Sequence, residues 1–225
     1  MGFIESALII AKKDLALEIR GKEIVTTSVF FALLTILVFG FAFDLAHSQG
    51  HQFAAGGLWV AILFSGALTM NRSFLYEKDN DCLSAILLAP VDRSSIYFGK
   101  MAANFTLMLA AEAFIVPVSI VIFNVNLMER FWLQVAALLL GTLGFTAVGT
   151  LVAAMSVNLR VREMLGPLLT LPVVAPVLIA SVEISTGLIR GDELDQFIVW
   201  YQALVAFDVI YLVVPWLVFE KLVEQ

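Results

Sequence analysis

Four carboxylates fall within or at the end of long apolar segments of this 225-residue chain, and one of them, Asp44, lies at the end of the first segment. Glu112 lies near the middle of one segment, Asp208 near the middle of another, and Glu183 at the end of a third. A carboxylate near the centre of a bilayer is costly unless it is paired, protonated or in contact with water, and such residues commonly mark functional sites. One interpretation is therefore a polar pathway, or an element that couples one helix to another.

The second interpretation of these carboxylates is structural, with hydrogen bonds that only hold helices together. The partners available for it are Asn104, Thr106, Tyr201 and Gln202. No Lys or Arg falls within the apolar segments as we delimit them, so an ion pair inside the membrane is not expected. The two central carboxylates should then be protonated, hydrogen-bonded or in contact with a wet cavity.

Motifs of catalysis are missing from the sequence. It has no GxxxxGK[ST] phosphate-binding loop, no HExxH and no GxSxG. His47 and His51 lie four residues apart in a connector, without further ligands near them, and Cys82 is the only cysteine. We expect no enzyme activity, no metal and no cofactor bound by this chain.

The elements that position the carboxylates are six apolar runs. A hydrophobic fraction of 61% far exceeds that of a soluble domain, usually about 45–50%. A helix needs about 20 apolar residues to cross a bilayer, and most runs reach that length without the alternation of barrel strands. We predict an all-α integral membrane protein in one permease domain spanning residues 1–225. Its spans are residues 24–45, 53–70, 101–123, 131–157, 167–182 and 197–219.

The basic residues fix an orientation. Of the 13 Lys and Arg residues, only Arg130 and Arg190 fall on one side of the six runs, and the rest fall on the other. Because cytoplasmic loops are enriched in Lys and Arg, both termini are expected in the cytoplasm. The net charge of −6 says little, since acidic residues contribute weakly to topology. Nothing in the pattern indicates nucleic-acid binding.

Residues 1–23 have the pattern of an amphipathic helix. Apolar side chains recur at spacings of three and four residues, at Ile4, Leu8, Ala11, Leu15 and Ile19. Such a stripe predicts a helix lying in the membrane interface. A merely solvated lead-in is the alternative.

The connector 71–100 is the longest one. It begins with charged residues and continues with a short amphipathic stretch, Cys82–Leu88, that ends before Pro90. Asp92 and the two serines after it form a turn and helix N-cap that lead into the third span. A short helix across the mouth of two spans is suited to contact another protein, and a solvated loop is the alternative.

Two other segments carry structural signals. Gly141, Gly144 and Gly149 predict close helix packing in the fourth span. Three prolines, the first at Pro167, predict that the fifth span is kinked or broken. The polar residues 183–196 that follow are compatible with a short re-entering helix or a loop.

Three stretches of sequence resemble the haem exporter protein B (CcmB) family. The most specific is NRSF at 71–74 followed by LLAPVDRS and GK up to Lys100. The others are LLLGTLGFTAVGTLVAAMSV at 138–157 and AFDVIYLVVPWLVFE at 206–220. The resemblance extends over nearly the whole chain.

The resemblance implies a permease subunit of an ABC transporter in the bacterial inner membrane, used in cytochrome c maturation. Implied partners are an ABC ATPase that carries ATP-Mg, a haem-handling membrane protein, a small membrane subunit, a periplasmic haem chaperone and a second copy of this chain. The connector would then hold a coupling helix. Residues expected to contact the ATPase are Glu77, Asp79, Asp81, Leu83, Ile86 and Leu87, with Arg160, Arg162 and Glu163 as a second contact.

The sequence does not identify the molecule that the complex transports. The complex would deliver haem to the chaperone or release the chaperone, and the four tryptophans of this chain are explained by anchoring at span ends. A proton-coupled secondary transporter and a non-transporting scaffold are the competing classes of function.

Overall fold

The computed structural model describes residues 2–21, 23–43, 53–79, 92–126, 130–156 and 162–222. Within these ranges the chain is helical and contains no strand. Its helices, in chain order, are α1 Phe3–Gly21, α2 Glu23–Ala42, α3 Ala54–Asp79, α4 Arg93–Phe123, α5 Phe131–Ser156, α6 Arg162–Arg190 and α7 Leu194–Leu222.

Five of these helices are long and apolar enough to cross a membrane. The qualifying segments are Val25–Ala42, Ser94–Phe123, Phe131–Met155, Thr170–Arg190 and Leu194–Trp216. The predicted second span corresponds to Ala54–Met70, the apolar part of α3, which falls in a shorter class of 10–17 residues. By length and composition, the described ranges thus hold five full candidate spans and one shorter apolar helix.

The connector 71–100 is narrower than predicted. Helix α3 continues past Met70 to Asp79, and α4 begins at Arg93, so only residues 80–92 separate the two helices. The predicted N-cap is confirmed, because the Asp92 carboxylate accepts a hydrogen bond from the Ser94 backbone N–H at 2.9 Å. The short helix predicted around residues 82–88 lies outside the described residues.

Helix α6 corrects two expectations about the fifth span. It is not broken, since it runs continuously from Arg162 through the proline positions to Arg190. Residues 183–190 form the last two turns of this helix rather than a separate re-entering helix or a loop. A tight turn at Gly191, which has a φ of 77°, then leads into α7.

Helix α1 packs against α4 through small residues and one ion pair. A Cβ atom at Gly99 of α4 would lie 2.7 Å from the Ala7 carbonyl oxygen, so glycine is needed for this close approach. The Lys100 ammonium, fully buried, lies 3.2 Å from the Asp14 carboxylate. Lys100 lies inside the candidate span Ser94–Phe123, so the expectation that no Lys or Arg falls within a span is wrong.

A second carboxylate of α1 joins it to α2. Glu18 is buried, and its Oε1 accepts a hydrogen bond from the Val25 backbone N–H at 2.8 Å. The first turn of a helix leaves its N–H groups without partners inside the helix, so Glu18 satisfies one of them in α2. Both Asp14 and Glu18 therefore point into the protein.

Helix α5 lies at the centre of the bundle, in contact with α3, α4, α6 and α7. Its glycines allow neighbouring side chains to approach closely, as predicted. A Cβ atom at Gly141 would lie 2.4 Å from the Trp59 ring, and one at Gly149 would lie 2.0 Å from the Met70 sulfur. The central helix therefore positions side chains from four neighbours against itself.

Candidate functional site: a polar core around helix α5

Buried polar side chains surround α5 along its length, and we call this group the polar core. Each of its members is at most 4% exposed. The polar core consists of Trp59, Asn104, Glu112, Gln134, Thr142, Thr150, Ser181, Ser185 and Asp208. Since a buried polar group is costly without a hydrogen bond, the partners of these side chains decide what the site can do.

Glu112 reaches α5 through Thr142. The Thr142 hydroxyl donates a hydrogen bond to Glu112 Oε1 at 2.5 Å, while Glu112 Oε2 has no partner among the described residues. The carboxyl group is thus half satisfied and keeps one oxygen available for a water molecule or for a proton. Thr142 was not among the partners that the sequence suggested.

Those suggested partners bond elsewhere. The Thr106 hydroxyl donates to the Ala102 carbonyl of its own helix at 2.8 Å. The Tyr201 hydroxyl donates to the Leu133 carbonyl at 2.7 Å, and Gln202 is exposed. Neither Glu112 nor Asp208 bonds to any of them in the described part of the chain, so this prediction is wrong.

Three side chains spaced along α4 bond to α5, and we call these bonds the α4–α5 contacts. They come from Tyr97, Asn104 and Glu112, which are seven and eight residues apart and so lie near one face of α4. Their partners on α5 are the Ala147 carbonyl at 2.9 Å, Thr150 Oγ1 at 3.0 Å and Thr142 Oγ1 at 2.5 Å. Tyr97, the first of the three side chains, lies five residues after Asp92, where the segment 80–92 ends.

Asp208 of α7 meets α5 on a different side. Its Oδ1 would lie 2.5 Å from a Cβ atom at Gly144, so the carboxyl group packs directly against the α5 backbone. Neither of its oxygens has a hydrogen-bond partner among the described residues. Positions two residues apart on a helix differ by about 200° in direction, so Gly144 and Thr142 face apart. The two carboxyls therefore sit on different sides of α5.

A third cluster occupies the end of the bundle near the start of α5. Ser185 Oγ of α6 accepts hydrogen bonds from the Trp59 indole N–H at 2.9 Å and from the Gln134 amide at 3.2 Å. Trp59 is therefore a buried member of the core and not an anchor at a span end, which corrects that expectation. The cluster joins α3, α5 and α6 through one hydroxyl.

Other residues predicted to function fall outside these clusters. Glu183 is exposed on α6. The structure describes only the backbone of Glu77, Asp79, Arg162 and Glu163, which lie at the ends of α3 and α6. The positions that lie outside the described residues are Asp81, Leu83, Ile86, Leu87, Arg160, His47 and His51.

The residues that sequence reasoning missed are mainly small hydroxyls. Thr142 and Thr150 lie eight residues apart on α5, and Ser181 and Ser185 lie four apart on α6. Polar groups repeated at helical spacing within an apolar run indicate one buried face, and this signal could have identified them. The polar core contains no His or Cys, two of the side chains that commonly bind haem iron.

The described helices and their buried polar core define a multi-pass helical membrane protein. The model of the CcmB protein family matches residues 5–223, so the chain belongs to the CcmB family. It is 29% identical to "Heme exporter protein B" of Rhodobacter capsulatus over 186 residues, 80% of this chain and 81% of that protein. It is 25% identical to the protein of the same name from Pseudomonas aeruginosa over 214 residues, 89% of each chain. The Haemophilus influenzae protein of that name is 27% identical, over 80% of this chain and 81% of its own.

Proposed function

We propose that this protein is the permease subunit of an ABC transporter in cytochrome c maturation. It would couple ATP hydrolysis by a partner subunit to haem delivery to a periplasmic chaperone, or to release of that chaperone. Support comes from the family match over residues 5–223 and from relatives named for haem export. The chain has no phosphate-binding loop, which fits ATP hydrolysis by a separate subunit.

Six spans with both termini in the cytoplasm fit the charge pattern and the helix lengths. Helix α3 has 26 residues, about 39 Å at 1.5 Å per residue, which exceeds a bilayer core of roughly 30 Å. Its apolar part, Ala54–Met70, supplies about 26 Å of that length, and the polar extension to Asp79 can carry the same helix out of the bilayer, so α3 can serve as the sixth span. The bacterial inner membrane is the compartment that this assignment requires.

The single observation that carries the mechanism is the series of α4–α5 contacts. Residues 80–92 join α3 to α4, so a partner that moves this segment moves the end of α3 and the start of α4. Helix α4 bonds to the central helix through three side chains, and α5 in turn meets α3 and α6 at the Ser185 hydroxyl. Movement of residues 80–92 on ATP-driven closure of the ATPase would thus be transmitted through α4 and α5 to the Ser185 cluster at the far end of the bundle.

The remaining partners follow from this assignment. Two copies of the permease would pair with two ATPase subunits, together with a haem-handling membrane protein and a small membrane subunit. ATP and Mg²⁺ would bind the ATPase, and haem would be handled by the complex.

Replacing Leu87 with Asp is expected to abolish binding of the ATPase subunit. The side chain is proposed to anchor in an apolar groove of the ATPase, and an aspartate there would bury a charge without a partner. Co-purification of the ATPase with tagged permease measures this. Ala85→Asp adds the same charge about 160° away on the predicted helix, and it should leave binding nearly intact. Equal recovery of ATPase with wild type and Leu87→Asp would contradict the coupling role.

Replacing Thr142 with Val is expected to uncouple ATP hydrolysis from chaperone release. Valine keeps the shape but removes the donor to Glu112, and a hydrogen bond to such a group contributes about 1–3 kcal/mol. Release per ATP should fall roughly tenfold, because about 1.4 kcal/mol corresponds to one factor of ten. Turnover of ATP and release of loaded chaperone are followed together on the purified complex.

Two controls accompany the Thr142 variant. Thr142→Ser keeps the hydroxyl and should retain coupling, while Thr106→Val removes a hydroxyl that bonds only within α4. Normal coupling in Thr142→Val would show that the Glu112 bond is structural. Loss of coupling in Thr106→Val as well would show a general effect of hydroxyl removal.

A proton-coupled transporter is the second candidate, favoured by one observation. Asp208 is buried, and neither carboxyl oxygen has a partner among the described residues. Transport that persists without any ATPase and disappears in Asp208→Asn would favour this candidate over the ABC permease.

A further inference from the structure

Helix α1 has an outward surface whose charge differs from that of the protein as a whole. The chain carries a net charge of −6, but two of the acidic residues of α1 point inward. Asp14 pairs with buried Lys100 and with Lys13, and Glu18 bonds to the Val25 N–H of α2. What stays exposed on the polar side of α1 is mostly basic.

The exposed basic residues form one group along the helix. Lys12 and Arg20 are exposed, and the Lys13 side chain is 40% exposed beside Asp14. Eight residues separate Lys12 from Arg20, about 12 Å along the helix axis. The one exposed acidic residue among the described positions of α1 is Glu5, near its start, which accepts a bond from the Gly2 N–H.

Apolar side chains lie next to this basic group and are equally uncovered. Ile4 is 72% exposed, Leu8 52% and Ile19 71%. The face that packs against α4 carries Phe3, Ala7, Ile10 and Asp14 instead. Large exposed aliphatic groups beside cations are the pattern of a helix that lies in the lipid headgroup region.

We infer that α1 binds anionic phospholipid headgroups through Lys12, Lys13 and Arg20, with Ile4, Leu8 and Ile19 inserted among the acyl chains. The inference deepens the proposed function, since it rests on a membrane orientation that puts α1 at the cytoplasmic surface. Each basic residue close to an anionic membrane contributes about 1 kcal/mol. The loss of two of them should weaken preference for anionic lipid roughly 20- to 30-fold.

The test uses the full-length protein in detergent, with phosphatidylglycerol or phosphatidylcholine added back. Lipid that binds the folded state raises the melting temperature, and at a given lipid concentration the rise is larger for the lipid of higher affinity. Phosphatidylglycerol should stabilise wild type at concentrations well below those needed for phosphatidylcholine. Lys12→Ala combined with Arg20→Ala should remove the difference, and 0.5 M salt, roughly, should reduce it in wild type.

A charge-preserving variant keeps the test independent of folding. Lys12→Arg combined with Arg20→Lys should retain the preference for phosphatidylglycerol. Equal stabilisation of wild type by the two lipids, or an unchanged preference in the alanine variant, would overturn the inference. So would loss of ATPase co-purification in the alanine variant with lipid preference intact, because α1 would then contact protein. The assay needs no ATPase, so failure of the proposed function would not affect its outcome.

Discussion

Replacing Asp14 with Asn is expected to destabilise the protein by about 3 kcal/mol, because it removes the carboxylate that faces a buried ammonium group. Lys100 has no exposed side-chain area, and Asp14 lies 3.2 Å from it. Removal of one member of a buried pair typically costs about 3–5 kcal/mol, since the other charge stays in a poorly solvated site. Denaturation of the purified protein in mild detergent, followed by circular dichroism, gives the change in free energy of unfolding.

The double variant Asp14→Leu with Lys100→Met provides the decisive control. Apolar residues of similar volume can replace a buried pair with little loss, so the double variant should be more stable than Asp14→Asn alone. Lys13→Met removes the more exposed cation beside Asp14, and a change below about 1 kcal/mol is expected there. Additive losses in the double variant would mean that the two charges do not stabilise each other.

Replacing Gly66 with Ala is expected to destabilise the contact between α3 and α5 by about 1–3 kcal/mol, the usual range for overpacking a core. A Cβ atom there would lie 2.0 Å from Cε1 of the Phe145 ring and 2.9 Å from the Met108 methyl group. Both side chains are buried, so the ring cannot swing into open space. The same denaturation measurement applies.

Gly56 offers a matched control on the same helix. Nothing lies within 4 Å of a Cβ atom at that position. Gly56→Ala should therefore be neutral or stabilising by up to about 1 kcal/mol, the helix-propensity gain of alanine over glycine. Combining Gly66→Ala with Phe145→Leu should recover part of the loss. Equal effects of the two alanine variants would show that backbone propensity, and not contact with Phe145, controls stability here.

The elements that follow from apolarity alone were predictable. Five of the six predicted runs begin or end within three residues of a helix end, and the turn residues before the third span predict the Asp92 N-cap. Helix ends that extend beyond the apolar segment were not predictable in this way. Residues 71–79, for example, are charged yet continue α3, because a helix that leaves the bilayer can keep its hydrogen bonds in water.

The candidate site was predicted only in part. Burial of Glu112 and Asp208 follows from their position within apolar runs, but hydropathy does not give their rotational direction relative to neighbouring helices. The rotation of each helix about its own axis determines that Thr142 faces Glu112 and that Glu183 faces outward. The Lys100–Asp14 pair was missed because it joins residues 86 positions apart, and pairing over that distance depends on the packing of α1.

The α4–α5 contacts also restrict how the bundle can change shape. A slide of α4 along α5 by one helical turn, about 5.4 Å, would separate all three bonded pairs at once. Tilting both helices together as one rigid body would break none of them. Alternation between two conformations is therefore expected to occur at the outer surfaces of this pair, where α2 and α7 pack, with the central helices moving as a single unit.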